Sequence, residues 1–290
     1  MKLLITSDWH LGKGWKDEAG VEWGERVARD IIQYTSFNPV DAFLFNGDLG
    51  NTQESQKKGL ELLALASEGI PKKMFVSGNH ELLLLPDQFE DRYEDLQERL
   101  FRYNFHLLDH SSAWTTLGKT AFVGGCGWYD GSLWTPYGNN TYAEVFTKAK
   151  EEFAKRFPVV AESHDPLEFF QYSLTLLNQR LEEIRGMKWD NIIVCTHHAP
   201  DSQFIDYKEP LELERPLKSD ERYWNYLNFF MGSRRLSALY NKAEKMLNPG
   251  GKVIGVTGHT HRSDAHLVND RFMVYNASAT KEKPFQVIEV

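Results

Sequence analysis

Nine polar side chains at five points of the chain could do chemistry together: Asp8 and His10, Asp48, Asn79 and His80, His197 and His198, and His259 and His261. Each group follows directly on a short apolar run. They offer carboxylate, imidazole and one amide oxygen but no thiolate, a donor set that suits Mn, Fe or Zn and argues against a closed structural zinc site built from cysteine. Seven of them, Asp8, His10, Asp48, Asn79, His197, His259 and His261, are too many for one first-row cation and suited to two that share a carboxylate. In Asp8-x-His10 and His259-x-His261, alternation along an extended segment would put both members on one side. Two cations about 3.5–4 Å apart hold a water as hydroxide and clamp the attacking and leaving oxygens of an in-line displacement. His80, beside Asn79 and outside this set, suits the remaining task of proton donor or charge stabiliser. A lone Gly-Asp or Asp-x-His is ordinarily a turn or cap. Gly78-Asn79-His80-Glu81 and Gly258-His259-Thr260-His261 say more, and all five groups at strand ends say most. His106, His110, His164 and His266 read as surface or satisfied polar residues.

The elements that must position these groups can be read from apolar periodicity. Lys2 to Thr6, Ala42 to Phe45 and Met74 to Val76 are short strand-like runs, with helical patterns over Val21–Phe37 and Gln53–Ala66 between them. This β-α-β-α-β order predicts a parallel sheet that delivers its polar groups at the C-terminal strand ends, where such sheets bind ligands. A third helix is expected from Asp87 to about Tyr103. Three short strands at about 105–108, 113–117 and 121–124 look like an antiparallel run with Gly118 in a turn. Further helices are expected at about 142–157, 166–186 and 233–247, and strands at about 191–196, 252–257, 271–276 and 285–289. Residues 126–140, rich in aromatics, glycine and asparagine, read as an irregular loop. Residues 201–231 carry no assignable pattern. With no repeat and no long linker, the expectation is one domain over 1–290 with insertions at about 126–190 and 201–231.

Composition narrows the class. The chain has 290 residues, 41% apolar and 26% charged, enough for a sizeable core. Its apolar runs are too short to span a bilayer or form a secretory leader, so the expected location is cytoplasmic, without membrane association. A formal net charge of −8 gives no general attraction to nucleic acid or anionic lipid. The two cysteines, Cys126 and Cys195, lie in apolar runs and are expected as buried thiols.

Asp8-x-His10, Gly47-Asp48, Gly78-Asn79-His80-Glu81, His197 and Gly258-His259-Thr260-His261 together resemble the motif series of the calcineurin-like metallophosphoesterases. The resemblance spans residues 8 to 261 and implies an α/β fold, a four-layer α/β/β/α sandwich of two mixed sheets. It implies one cation on Asp8, His10, Asp48 and His261. The other would take Asp48, Asn79, His197 and His259, with Asp48 bridging and His80 as acid or transition-state stabiliser. Manganese ranks ahead of Fe and Zn. Glu81 stands where the family often has Asp, and is expected to support His80. Of the adjacent histidines, His197 is assigned as ligand because it leaves the strand first, which turns His198 toward substrate. Lys13 and Arg262, near ligands in sequence, could meet a phosphate.

The leading expectation is therefore a hydrolase of phosphomonoesters or phosphodiesters acting on a small-molecule, nucleotide or phosphoprotein substrate, in a pocket walled by 126–140 and 201–231. Aromatic residues there could stack on a base or belong to the core. The alternative is a metal-dependent nuclease, because Ser7-Asp8-Trp9-His10-Leu11-Gly12 resembles the opening of double-strand-break repair nuclease subunits. That reading needs a Lys/Arg-lined groove, and the sequence offers only pairs such as Lys57-Lys58 and Arg234-Arg235; the long C-terminal extension of those nucleases is also missing. A non-catalytic scaffold ranks last, since no ligand is lost.

Overall fold

The computed structural model describes residues 1–16, 19–83, 89–110, 114–133, 141–156, 166–201 and 230–290. Its first part alternates strand and helix: β1 (Lys2–Thr6), α1 (Trp23–Phe37), β2 (Ala42–Asn46), α2 (Gln53–Ala66), β3 (Lys72–Val76), α3 (Asn79–Leu83), α4 (Phe89–Phe101) and β4 (His106–Leu107). Then come β5 (Trp114–Leu117), β6 (Thr120–Gly125), α5 (Tyr142–Arg156), α6 (Pro166–Glu183), β7 (Trp189–Thr196), α7 (Arg235–Glu244), β8 (Leu247–Thr257), β9 (Ala265–Asn269), β10 (Phe272–Asn276) and β11 (Gln286–Glu289). Local chemistry sets several of these bounds. Helix α2 starts at Thr52, whose hydroxyl accepts from the Ser55 amide at 3.1 Å while the Ser55 hydroxyl accepts from the Thr52 amide at 2.9 Å. Helix α1 stops at Asn38, the residue before Pro39, where α geometry is disfavoured.

Two mixed sheets result. The first has the order β11-β1-β2-β3-β4, with β1 to β4 parallel and β11 antiparallel to β1. The second has the order β5-β6-β7-β8-β10-β9, parallel in its four inner strands and antiparallel at both edges. Strand alternation sorts the side chains into layers. Leu3, Ile5, Leu44, Met74 and Val76 meet Phe122, Ile193, Cys195, Ile254 and Val256 in one buried cluster, which is the contact between the sheets. Their neighbours Leu4, Phe43, Phe45 and Phe75, and Val123, Ile192 and Val194, belong to a second cluster with Val27, Ile31, Leu60, Leu63, Leu177, Leu236 and Tyr240 from the helices. Helix, sheet, sheet, helix is the expected four-layer α/β order. Among the described residues no helix is long and apolar enough to cross a membrane.

Three expectations need correction. The proposed three-strand antiparallel run is divided between sheets: β5 and β6 form a hairpin with Gly118 in its turn, while β4 joins the first sheet parallel to β3. A two-residue strand carries no signal of which sheet it will join. The helix expected from Asp87 to about Tyr103 is α4, Phe89–Phe101, but a short helix that was not expected, α3, is formed by the Asn79-His80-Glu81 motif itself directly after β3. Strand β9 was not expected; its residues are mostly exposed at a sheet edge and lack the apolar alternation of a half-buried strand. Residues 202–229 of the expected 201–231 insertion lie outside the described residues, as do 134–140 of the aromatic loop.

Ile193 is fully buried between the two sheets. Ile193→Ala should therefore cost about 2–5 kcal/mol of unfolding free energy, read from urea denaturation.

Candidate metal centre

The C-terminal ends of β1, β2, β3, β7 and β8 bring the predicted residues to one end of the sandwich. Three overlapping groups there could hold a metal ion: Asp8, His10 and His261; His10, Asp48 and His80; and Asp48, His197 and His259. Asp48 lies at their middle, with its Oδ2 at 3.4 Å from His197 Nε2, 3.6 Å from His10 Nε2 and 3.9 Å from His80 Nε2. His10 Nε2 is 3.7 Å from Asp8 Oδ1.

The backbone route to this convergence differs from the alternation expected of Asp-x-His and His-x-His. Asp8, His10, Asp48, His259 and His261 have φ of 59°, 44°, 61°, 64° and 54°, all left-handed. Asp and His tolerate this region better than most side chains, at a cost of about 1–2 kcal/mol each. Each pair is aimed by two consecutive sharp turns rather than by an extended segment. The motif glycines are needed for close approach. A Cβ on Gly258 would stand 2.7 Å from Ser7 Oγ and 2.9 Å from Asp8 Oδ2, and one on Gly78 would collide with the Asp48 carboxylate.

Hydrogen bonds fix which atom of each side chain faces the site. His10 Nδ1 lies 2.9 Å from Asn51 Oδ1, and His197 Nδ1 lies 2.7 Å from the Asn46 carbonyl oxygen; each ring donates through Nδ1 and presents Nε2. Asp8 Oδ2 accepts from Ser7 Oγ at 2.5 Å, Ser278 Oγ at 2.8 Å and the His259 amide at 3.0 Å. Asp48 Oδ1 accepts from the His80 amide at 3.0 Å. After these bonds, Asp8 Oδ1, His10 Nε2, Asn79 Oδ1 and His197 Nε2 remain buried without a hydrogen-bond partner. An orphaned buried polar atom costs about 1–3 kcal/mol. Cations would satisfy all four, and the mixed N/O set fits first-row ions.

Glu81 acts differently from the expectation. Its carboxylate accepts from the backbone amides of Asp48 (2.8 Å), Leu49 (2.7 Å) and Gly78 (2.7 Å), tying the turn after β2 to the turn after β3. It thus holds Asp48 through the main chain, and His80 is braced instead by Gln56, whose Nε2 donates to the His80 carbonyl at 3.0 Å. Sequence reasoning also missed Asn51 and Ser278. Asn51 had a usable signal, three residues past Asp48 in the same turn; Ser278 had none.

The remaining predicted residues are spread around this core. His198 is fully buried, with Nδ1 at 3.1 Å from the Cys126 carbonyl and its ring 4.3 Å from that of His259. It belongs to none of the three groups, and its burial offers a substrate no surface. Trp128 and Tyr129 are core, stacked on each other and packed against His198. Lys13 holds its ammonium 3.9 Å over the ring of Trp15, and Trp15, 41% exposed, stands edge-on to His10 and His261. Arg262 is paired with Asp264. Cys126 and Cys195 are buried free thiols, as expected. His106, His110 and His266 join no candidate group.

Electrostatics in the protein by itself are governed by burial set against charge pairing. Burial opposes ionisation of Asp8, but His10, His261 and His197 hold its carboxyl far below the usual range. Asp48 is likewise held well below, against burial, by His197 and His80. Burial pulls the His197 imidazole down, yet Asp48 pushes it up to about 10. His259, buried and facing His197, falls to about 3. Burial and the Asp48 charge raise Glu81 to about 7 against its three amides. Behind the site, burial raises Asp109 to about 6 although its carboxylate accepts from the amide and hydroxyl of Ser77.

Comparisons with known proteins give the family and the fold. The chain matches the family model of calcineurin-like phosphoesterases over residues 1–263 and belongs to that family. Among solved structures it resembles the phosphopantetheinyl hydrolase of Mycobacterium tuberculosis at 20% identity and a TM-score of 0.63, over 96% of this chain and 88% of that one. It also resembles a dimetal phosphatase from Danio rerio at 10% identity and a TM-score of 0.51, over 95% and 86% of the two chains. At these identities the likeness is one of fold. No curated protein matches the chain.

Two predictions follow from the charges. The raised His10 and His197 imidazoles must surrender protons to present lone pairs to a cation. Manganese binding near pH 7 should therefore release protons, seen as a dependence of the calorimetric heat on buffer ionisation enthalpy. For Asp109, raised in the folded state, this group makes the fold gain stability as pH falls from about 6 toward 3.8 and lose it on the way back. Asp109→Asn should flatten that part of the stability curve relative to the parent by up to one proton, measured by urea unfolding of metal-free protein across pH.

Proposed function

We propose that this protein is a dinuclear metal-dependent phosphoesterase that hydrolyses phosphomonoesters or phosphodiesters by in-line displacement. The observation that carries the reading is the set of three candidate groups, the first joined to the second through His10 and the second to the third through Asp48. One cation would be held by Asp8, His10, Asp48 and His261, and the other by Asp48, Asn79, His197 and His259, with manganese ranked ahead of iron and zinc. Bound there, such cations supply Lewis acidity to the phosphoryl group and lower the pKa of water.

The chain's own residues do the rest. Asp48, gripped through its amide by Glu81 and through Oδ1 by the His80 amide, fixes the spacing of the two halves of the site. His80 is partly exposed, and its ring is 4.9 Å from that of His10. In the metal-free protein burial, ahead of the charges of His10, His197 and Lys13, lowers its pKa against the pull of Asp48. The positive charge of bound cations would act in the same direction and favour the neutral imidazole. In that state His80 donates a ring N–H to the leaving oxygen as charge develops there. Lys13 sits near enough to His80 and His261 to depress both imidazoles. Its positive charge would serve the non-bridging oxygens of a phosphate, a role for which Arg262, paired with Asp264, is less suited. The substrate is a phosphate ester of a small molecule, nucleotide or phosphoprotein.

The nuclease reading finds less support. Lys58, one of the basic pair that might have lined a groove, is engaged by Glu25 at 2.5 Å and Glu22 at 3.2 Å.

Manganese-loaded protein should turn over an aryl phosphomonoester or aryl phosphodiester, lose activity on chelation and regain it with Mn. Asp48→Ala should abolish turnover, and His80→Ala should lower kcat by about 10²–10⁴-fold while still binding two Mn by elemental analysis. Hydrolysis of linear DNA with no turnover of either aryl ester would reverse the ranking, and a fully active His80→Ala would remove that residue from the mechanism.

A further inference from the structure

The residues that follow β10 pass directly beneath the first cation group. After Asn276 the chain leaves the second sheet and crosses to the first, where Ser7 and Ser278 form an isolated bridge and the Ala279 amide donates to the Ser7 carbonyl at 3.0 Å. It then continues into β11, which pairs with β1. On this crossing Ser278 is fully buried, and its hydroxyl lies 2.8 Å from Asp8 Oδ2 and 3.1 Å from Asn276 Oδ1. Asn276 in turn donates through Nδ2 to the hydroxyl of Thr260, the residue between His259 and His261. This cluster joins the crossing to the turn that carries two imidazoles, with the single Ser278 proton serving Asp8 Oδ2, the shorter contact, and not Asn276 at the same time. All of it beyond residue 263 lies outside the span matched by the family.

We infer that Ser278 is a positioning residue for the metal centre: it orients Asp8 so that Oδ1 faces a cation. The inference rests on the dinuclear reading above. Donors that converge on one oxygen of a buried carboxylate hold its rotation about Cβ–Cγ and turn the other oxygen toward the opposite side. Oδ2 receives three donors here, while Oδ1 is buried with none. Of the three, the His259 amide is main chain, and Ser7 is Asp8's own neighbour and moves with it. Among the described residues, Ser278 is the one side-chain hydrogen-bond donor reaching Asp8 from a distant segment. Removing it leaves Oδ2 with the Ser7 hydroxyl and the His259 amide.

Loss of an outer partner of a metal ligand typically weakens metal binding about 10–100-fold. Calorimetric titration of metal-free protein with Mn should show two sites in the parent and, in Ser278→Ala, one site weakened by about that factor. Thr280→Ala, on the same crossing but with its hydroxyl accepting from the Lys283 amide within its own turn, should bind Mn as the parent does. Should the alanine variant fail to fold, Ser278→Cys, close in size but a weak donor, is read in the same way. Parental Mn affinity in a folded Ser278 variant, or equal weakening in Thr280→Ala, overturns the positioning role. A parent that binds no Mn overturns the dinuclear reading itself, so the two failures are told apart.

Discussion

The carboxylate of Asp48 is the constraint on which the rest of this molecule is arranged. It is buried, sits within 4 Å of three imidazoles, and belongs to two of the three groups able to bind a cation. A buried anion is tolerable only when it is paired and hydrogen-bonded. The surrounding fold supplies both requirements: imidazoles from the ends of β1, β3 and β7, and the His80 amide on Oδ1. Its main chain is held by a second buried carboxylate, Glu81, which is itself satisfied by three amides. Two acids that would be costly alone become the means of locking two turns together.

Electrostatics and packing are linked at this point. Both parallel regions of the sandwich end on the same side, so helices cover the outer faces and leave the strand ends free to carry polar groups. The buried cluster between the sheets, Leu3 and Ile5 against Ile254 and Val256, holds β1 and β8 so that Asp8 and His259 can meet. A core that slipped would separate ligands contributed by different sheets, which ties the geometry of the site to the packing of the sandwich.

Much of this was legible in the sequence, and the reasons differ by level. Buried parallel strands such as Met74–Val76 announce themselves as apolar runs, and the polar residues that end them mark the site. The second sheet's edges were harder. Strand β4 is too short to carry a pattern, and β9 is exposed enough to look like loop. Within the site the donor atoms were readable by type, but their supports were not. Asn46 acts through its carbonyl, which any residue would provide, and Ser278 is brought to Asp8 by the whole topology rather than by any spacing. The role of Glu81 differs from the one the resemblance implied, support of His80, because a helical turn at Asn79–Leu83 points it back at main-chain amides.

The left-handed turns at Asp8, His10, Asp48, His259 and His261 carry a lesson for anyone wishing to transplant this centre. Copying its side chains onto regular strands of another scaffold would reproduce the inventory and lose the aim, because each donor's direction is set by a main-chain corner rather than by its place in a pleat. The portable unit is the corner together with its residue. A β-branched side chain at such a corner would be penalised before any cation arrived, which narrows the alphabet from which a centre of this shape can be drawn.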